Sequence, residues 1–245
     1  MGFRTERGVP VPTVTAEQMR EIDRIAVEEF GLQLLQMMEN AGRALAWNAI
    51  GMLGLIKGPV VVLAGGGGNG GGGLCCARHL HNKGYNVRVI LDRKPEELGK
   101  AAEVQLRILE RAGVHPISFS CAKEAVGNAK LVIDALIGYG LRGKARGRAG
   151  ELIQLCNETQ GRVLSLDVPS GLNAQTGELI EPAVRTDRTV TLALPKPGLE
   201  RIDGALYLAD IGIPPEVFEK LGITLDNPFA DADWVRLMDF DIEGV

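Results

Sequence analysis

The chain has 245 residues, 45% of them hydrophobic and 24% charged, with a formal net charge of -4. That hydrophobic share can fill a sizeable core and excludes disorder, and the length suits one α/β domain over residues 1–245. The mild acidity excludes phosphate-backbone binding as the main business, and no apolar run reaches membrane-spanning length, so neither nucleic acid nor membrane is an expected partner.

Residues 1–12 are polar and proline-bearing and read as a flexible lead-in. No N-terminal stretch combines a basic start, an apolar centre and a small-residue cleavage site. Thr15-Ala-Glu-Gln18 is a capping box, in which a hydroxyl caps the helix end and an acceptor three residues on reaches back. Met19, Ile22, Ile25, Ala26 and Phe30 then make one apolar face, and Gly31 stops the helix. A second helix carries Leu34, Leu35, Met38, Ala41, Ala44, Leu45 and Ala49, with Gly42 and Ala46 small enough for close packing and Met37 and Met38 as core filler.

Residues 59–64 form an apolar, β-branched run, the pattern of a buried parallel strand. Eight glycines follow, Gly65 to Gly68 and Gly70 to Gly73, around Asn69. Leu74, Ala77 and Leu80 then begin a helical pattern that also carries Arg78 and His79. Each glycine costs about 0.5–1 kcal/mol against alanine where both fit, so a run of this length implies a backbone that must closely approach a ligand. Strand, glycine loop and helix aim backbone N–H groups and a positive helix end at an anion.

Further on, strands are expected at 86–91, 114–119, 130–135, 162–166, 189–194 and 205–208, and helices at 98–112 and 150–158. This alternation predicts a doubly wound, mainly parallel sheet in a three-layer αβα sandwich, Rossmann-like, with ligands at the carboxyl ends of strands. The four cysteines, Cys75, Cys76, Cys121 and Cys156, lack metal spacing and read as small hydrophobes of a reducing compartment, which makes the expected location cytoplasmic.

Two further strand ends are chemically loaded. Asp134 closes one apolar run and precedes Ala-Leu-Ile-Gly138-Tyr-Gly140-Leu-Arg-Gly-Lys144, and Asp167 closes another before Val-Pro-Ser170-Gly171. A strand-end aspartate alone is often a cap or turn former, but two of them beside a glycine loop favour a site. The loop fits G-x-G-x-x-G with Asp92 as a passable ribose contact, a weak dehydrogenase signal, and no Gly-Lys-Ser/Thr follows to make a Walker loop. Arg142, Lys144, Arg146 and Arg148 read equally as a solvated loop or as partners of a pyrophosphate.

Several spaced motifs together resemble the NAD(P)H-hydrate epimerases of the YjeF N-terminal-domain type, over nearly the whole chain. Met38-Glu-Asn-Ala-Gly42 looks like that family's early helix, and the loop through Leu74 with Ala77-Arg78-His79-Leu80 is similar to its G-P-G-N-N-G-G-D-G-L…A-R-H-L. Asp134-Ala-Leu-Ile-Gly-Tyr-Gly-Leu141 is similar to D-A-L-F-G-T-G-L, and Asp167-Val-Pro-Ser-Gly-Leu-Asn173 with Thr176-Gly177 to D-x-P-S-G-x-x…T-G. Thr189-Val-Thr191, Pro195-Lys196 and Asp210-Ile-Gly-Ile-Pro214 complete the set. The resemblance implies interconversion of the R and S epimers of hydrated NADH and NADPH, with Asp167 and Lys196 as the catalytic pair. It implies a potassium ion held by Asn69, Asp134 and Ser170. It also implies a substrate lining of Gly68, Asn69, Gly70, Gly71 and Gly72, of Gly138, Tyr139, Gly140, Leu141, Arg142, Gly143 and Lys144, and of Asp167. A separate ADP- or ATP-dependent dehydratase and a homodimer belong to the same expectation. Gly68 and Gly72 stand where the family pattern has asparagine and aspartate, which leaves a non-catalytic nucleotide-binding module of the same fold as the alternative.

Overall fold

The structure, a computed structural model, describes residues 2–230 and 232–239. In chain order it builds β1 (Phe3–Thr5), β2 (Pro10–Val11), α1 (Ala16–Glu28), α2 (Leu34–Leu53), β3 (Val60–Ala64), α3 (Gly68–Asn82), β4 (Val87–Leu91), α4 (Lys100–Arg111) and α5 (Ala122–Gly127). There follow β5 (Leu131–Ala135), α6 (Gly147–Asn157), β6 (Arg162–Leu166), β7 (Arg188–Leu192), β8 (Ala205–Ala209), α7 (Pro215–Glu219) and β9 (Trp234–Asp239). Among the described residues the strands form one nine-stranded sheet in the order β2-β1-β9-β8-β7-β6-β5-β3-β4. The run from β4 to β8 is parallel throughout, and β9, β1 and β2 extend it antiparallel.

The parallel strands are apolar on both faces because helices cover both. Val60, Val62, Ile133 and Leu164 pack with α2, α3 and α4 on one side. Val61, Val132 and Val163 pack with α5 and α6 on the other. Leu206 and Leu208 share that second face by register and meet Met19, Ile22 and Ile25 of α1. The result is the doubly wound αβα sandwich that the alternating pattern predicts.

Three local expectations fail. The first residues are not a frayed lead-in: β1 pairs with both β2 and β9, and Phe3 and Val11 are buried among the residues around α1. Their alternation is too short to stand out in sequence, and it acquires meaning only beside β9. No strand forms at 114–119, where Ile117 N–H donates to the Val89 carbonyl at 2.9 Å, because Pro116 has no N–H with which to continue a ladder.

The third failure is the most informative. The glycine run is not one loop, since α3 already begins at Gly68 and the turn proper is Gly65 to Gly67. Glycine in this helix is a packing device. A Cβ on Gly73 would lie 2.4 Å from the Ala135 Cβ and 3.4 Å from a Val62 methyl, so α3 reaches the backbones of β3 and β5 only where it has no side chain. This contact reverses the usual sign of a helix substitution. Gly73→Ala is expected to destabilise the fold by about 1–3 kcal/mol through overpacking. Gly51→Ala, in α2 with its nearest neighbour atom 3.9 Å from the new methyl, is expected to stabilise it by about 0.5–1 kcal/mol; urea denaturation of the two variants checks both signs.

Candidate active site

β3 lies between β4 and β5, so the chain leaves β3 on one side and later returns on the other. Such a reversal opens a crevice at the carboxyl ends of the strands. A cavity of about 560 Å³ occupies it, within the usual size range for small-molecule sites. Gly66, Gly67, Gly68, Asn69 and Gly72 line one wall, Gly138, Tyr139 and Gly140 another, and Asp167 and Lys196 the base, while Met19, Arg20 and Asp23 come from α1. The Gly67 cap of α3 carries no side-chain hydrogen bond, so the first-turn N–H groups are left for a ligand.

Asp167 and Lys196 owe their places to two matching turns. Asp167 has φ +66° and Ala193 φ +59°, both unusual for residues with a side chain. Val168 N–H donates to the Leu166 carbonyl at 2.9 Å, and Leu194 N–H to the Leu192 carbonyl at 2.7 Å. Each residue therefore centres a γ-turn of the rarer hand, a conformation that costs about 1–3 kcal/mol. Because β6 and β7 are neighbours, the turns stand side by side and bring the two charged residues together. Lys196 Nζ donates to Asp167 Oδ1 at 2.6 Å and to the Leu192 carbonyl at 3.1 Å. The side chains are only 1% and 5% exposed. Asp167 Oδ2 accepts the Tyr139 backbone N–H at 3.0 Å. A Cβ on residue 138 would sit 2.8 Å from that same oxygen and 3.2 Å from Asn69 Oδ1, so Gly138 is the residue that lets the loop after β5 approach the carboxylate.

Tyr139 carries the network further. Its phenol donates to Asp23 Oδ2 at 2.6 Å, and its ring lies 5.4 Å from Lys196 Nζ. Burial raises the phenol's pKa, and the neighbouring Asp23 charge adds to the rise. Burial also raises the pKa of Asp23, against the Tyr139 hydrogen bond and the Lys196 charge.

Asp134 is fully buried and does not line the cavity. Its Oδ1 accepts the Ser170 hydroxyl at 2.6 Å and Leu136 N–H at 3.3 Å, and its Oδ2 accepts Ser170 N–H at 2.9 Å and the Ser165 hydroxyl at 3.0 Å. It thereby ties the loop after β5 to the loop after β6. Burial pushes its pKa up, opposed by those four hydrogen bonds.

The sequence profile of the YjeF-related protein N-terminus family matches residues 34–198. A protein of Dehalogenimonas lykanthroporepellens, named NAD(P)H-hydrate epimerase, is 46% identical over 242 residues, 96% of each chain. The chain belongs to the YjeF-related N-terminal family. The crystal structure of the yeast protein ynu0 is 25% identical and superposes with a TM-score of 0.81, covering 92% of this chain and all of that one. A bifunctional NAD(P)H-hydrate repair enzyme of Hyperthermus butylicus is 44% identical over 202 residues, which are 80% of this chain and 37% of that protein.

Within this YjeF-related fold the residues singled out from sequence fall into three groups. Asp167, Lys196, Gly68, Asn69, Gly72, Gly138, Tyr139 and Gly140 share the cavity. Gly70 and Gly71 do not line it, because they turn inward within α3, where Gly71 faces Met38. Leu141, Arg142, Gly143 and Lys144 also lie outside it: the chain swings away through Gly143, φ +69°, and Lys144 borders a separate hollow with Asn157 and Glu181. Arg142, Lys144, Arg146 and Arg148 are exposed. Ser170 lies beneath the cavity with Asp134. Asp92 is paired with Arg93 at 2.8 and 2.9 Å and leaves the lining to that arginine.

Arg20, Asp23 and Arg93 are the charged cavity residues that sequence reasoning missed. Asp23 lies between Ile22 and Ile25 in a helix read only for its apolar face, although a carboxyl next to that face was the available signal. Arg78 and His79 serve another purpose: Glu39 of α2 accepts Arg78 and meets His79 Nε2 at 2.8 Å, joining α2 to α3. Cys75 Sγ lies beside them, 3.2 Å from the Arg78 guanidinium that already supplies the positive charge there.

The Asp167–Lys196 pair sets an energetic test. Removing one partner of a buried pair strands the other charge. Lys196→Met is expected to cost about 3–5 kcal/mol, and the double variant Lys196→Met with Asp167→Asn to recover most of it. Chemical denaturation of the two single variants and the double variant measures this coupling.

Proposed function

We propose that the chain interconverts the R and S epimers of hydrated NADH and NADPH, with Asp167 as acid/base group and Lys196 as its partner. One observation carries this reading: a buried Asp167–Lys196 pair opens onto a cavity at the uncapped end of α3, in a chain 46% identical to a protein named NAD(P)H-hydrate epimerase. The carbon to be inverted bears a hydroxyl and the ring nitrogen, so a proton must be given and taken back, a task for a placed carboxyl group. The first-turn N–H groups of α3, with Arg20 and Arg93 on the same cavity, suit the anionic pyrophosphate. Gly68, Asn69, Gly72, Gly138, Tyr139, Gly140 and Asp167 make the substrate surface in this reading. The alternative of a non-catalytic nucleotide-binding module is not favoured, since the acid/base pair is intact despite Gly68 and Gly72.

The donors expected to hold potassium fit a hard cation. Asp134 and Ser170 bring oxygen atoms together in a buried setting, the Ile137 carbonyl lies 3.2 Å from Ser170 Oγ, and Asn69 would add its amide oxygen. Among the described residues, every hydrogen bond to the Asp134 carboxyl comes from a neutral group. Potassium would supply the missing positive charge beneath the two loops that carry Tyr139 and Asp167. The same reading takes residues 1–245 as one domain, cytoplasmic and homodimeric. It leaves the dehydration of the S form to a separate ADP- or ATP-dependent dehydratase, in keeping with relatives named as bifunctional repair enzymes. Among the described residues no helix is long and apolar enough to cross a membrane.

Pure R or S hydrate incubated with the protein is expected to approach the epimer equilibrium far faster than in buffer, and Asp167→Ala to lose about 10²–10⁴-fold of that rate. A rate equal to buffer rejects the reading. For the ion, potassium chloride is expected to raise the melting temperature above that in tetramethylammonium chloride, as any ligand of the native state does. In Asp134→Asn the difference should vanish.

A further inference from the structure

Inversion moves the hydroxyl from one face of the ring to the other, and a carboxyl group on each face serves both positions without turning the ring over. Two carboxyl groups line this cavity from different elements, Asp167 at the end of β6 and Asp23 on α1. Tyr139 spans them: its backbone N–H is on Asp167 at 3.0 Å and its phenol is on Asp23 at 2.6 Å. The two carboxyl groups thus meet opposite ends of one tyrosine residue, and all three residues line the same cavity. Lys196 donates a hydrogen bond to Asp167 and reaches Asp23 through its charge alone. We propose that Asp23 is a second catalytic acid/base group, serving the face of the substrate ring opposite Asp167. This rests on the epimerase reading of the cavity. Asp23 lies outside residues 34–198, the stretch that the family profile matches.

The environment of Asp23 agrees with such a role. Its neighbours on α1, Met19, Ile22 and Ala26, are buried and apolar. The charged and titratable groups around it are Tyr139, Lys196 and Asp167, with Arg20 on the same helix facing the same cavity. Burial favours its protonated form, whereas Asp167 is held against an ammonium group. The two carboxyl groups therefore stand in different settings, one beside a phenol on a largely apolar helix face and one beside an ammonium group, as paired acid and base groups do.

Asp23 gives its proton to the hydroxyl on its face, the carbon–oxygen bond breaks with its electrons on the departing water, and the ring-nitrogen lone pair forms a C=N bond. A water on the other face adds to that carbon, the C=N electrons return to nitrogen, and the proton lost by the water goes to Asp167. One water leaves, one enters, and one proton has moved from Asp23 to Asp167. The other epimer runs the same sequence backwards and restores both groups.

Epimerisation in ¹⁸O-labelled water tests this directly. The wild-type protein is expected to incorporate label at the hydroxyl with each inversion. Asp23→Asn is expected to lose inversion by about 10²-fold or more, yet to keep label exchange for one epimer, because Asp167 can still release and return water on its own face. Asp23→Glu should regain part of the inversion rate. Inversion in Asp23→Asn within a few-fold of wild type overturns the proposal. So does loss of exchange for both epimers in a variant that melts like wild type, since Asp23 would then only prop the loop. Should Asp23→Asn fail to fold, Tyr139→Phe decides: a fall in kcat with KM kept, with label exchange outpacing inversion, supports the proposal, and unchanged kinetics overturns it. Wild-type inversion without label uptake also overturns it while leaving the epimerase reading standing. A wild-type protein that does not change the epimer ratio removes the epimerase reading itself.

Discussion

Two opposite charges buried against each other impose the tightest constraint on this structure. An ion taken out of water loses several kcal/mol of solvation, and only a close, well-formed partner returns most of it. Lys196 and Asp167 meet this demand at 2.6 Å, but the chain reaches that geometry through strained turns at Asp167 and Ala193. The strain persists because β6 and β7 are locked side by side and covered on both faces. The sheet is thus what allows a small stretch of unfavourable backbone to exist at the site.

A second constraint is closeness. α3 lies against β3 and β5 at a distance that excludes side chains, and the loop after β5 comes near Asp167 only through Gly138. Asp134 then joins the loops after β5 and β6 from beneath. The glycines, the buried aspartate and the ion pair act on the same few ångströms of space. Each holds one wall of the cavity against another. The cavity is consequently a property of three strand ends together, and none of them forms it alone.

The αβα architecture was legible because both of its signals are local. β-branched apolar runs mark strands buried on two faces, and helices between them imply parallel crossovers. The Asp167–Lys196 pair was legible only through the resemblance, since an isolated Lys196 after a strand reads as a solvated lysine. Other features were hidden for physical reasons. β1 and β2 are too short to show a period and exist by pairing with β9, far away in the chain. Glycines in α3 look like a loop, because helix propensity carries no information about a neighbouring strand at 2.4 Å. Asp23 looked like one polar residue of an amphipathic helix.

Sequence by itself determined the alternation of strands and helices, the helix start at the capping residue Thr15, and a strand, a glycine turn and a helix in succession after Pro59, since each depends on contacts within a few residues. Only the tertiary structure decided which carboxyl groups face the cavity. It turned Asp134 inward onto Ser165 and Ser170 and left Asp167 beside Lys196, and it brought Asp23 from 144 positions earlier in the chain to the other end of Tyr139. Side-chain direction at a strand end follows from a single backbone angle and from the neighbours across the sheet. Neither is written in the residues that flank the position.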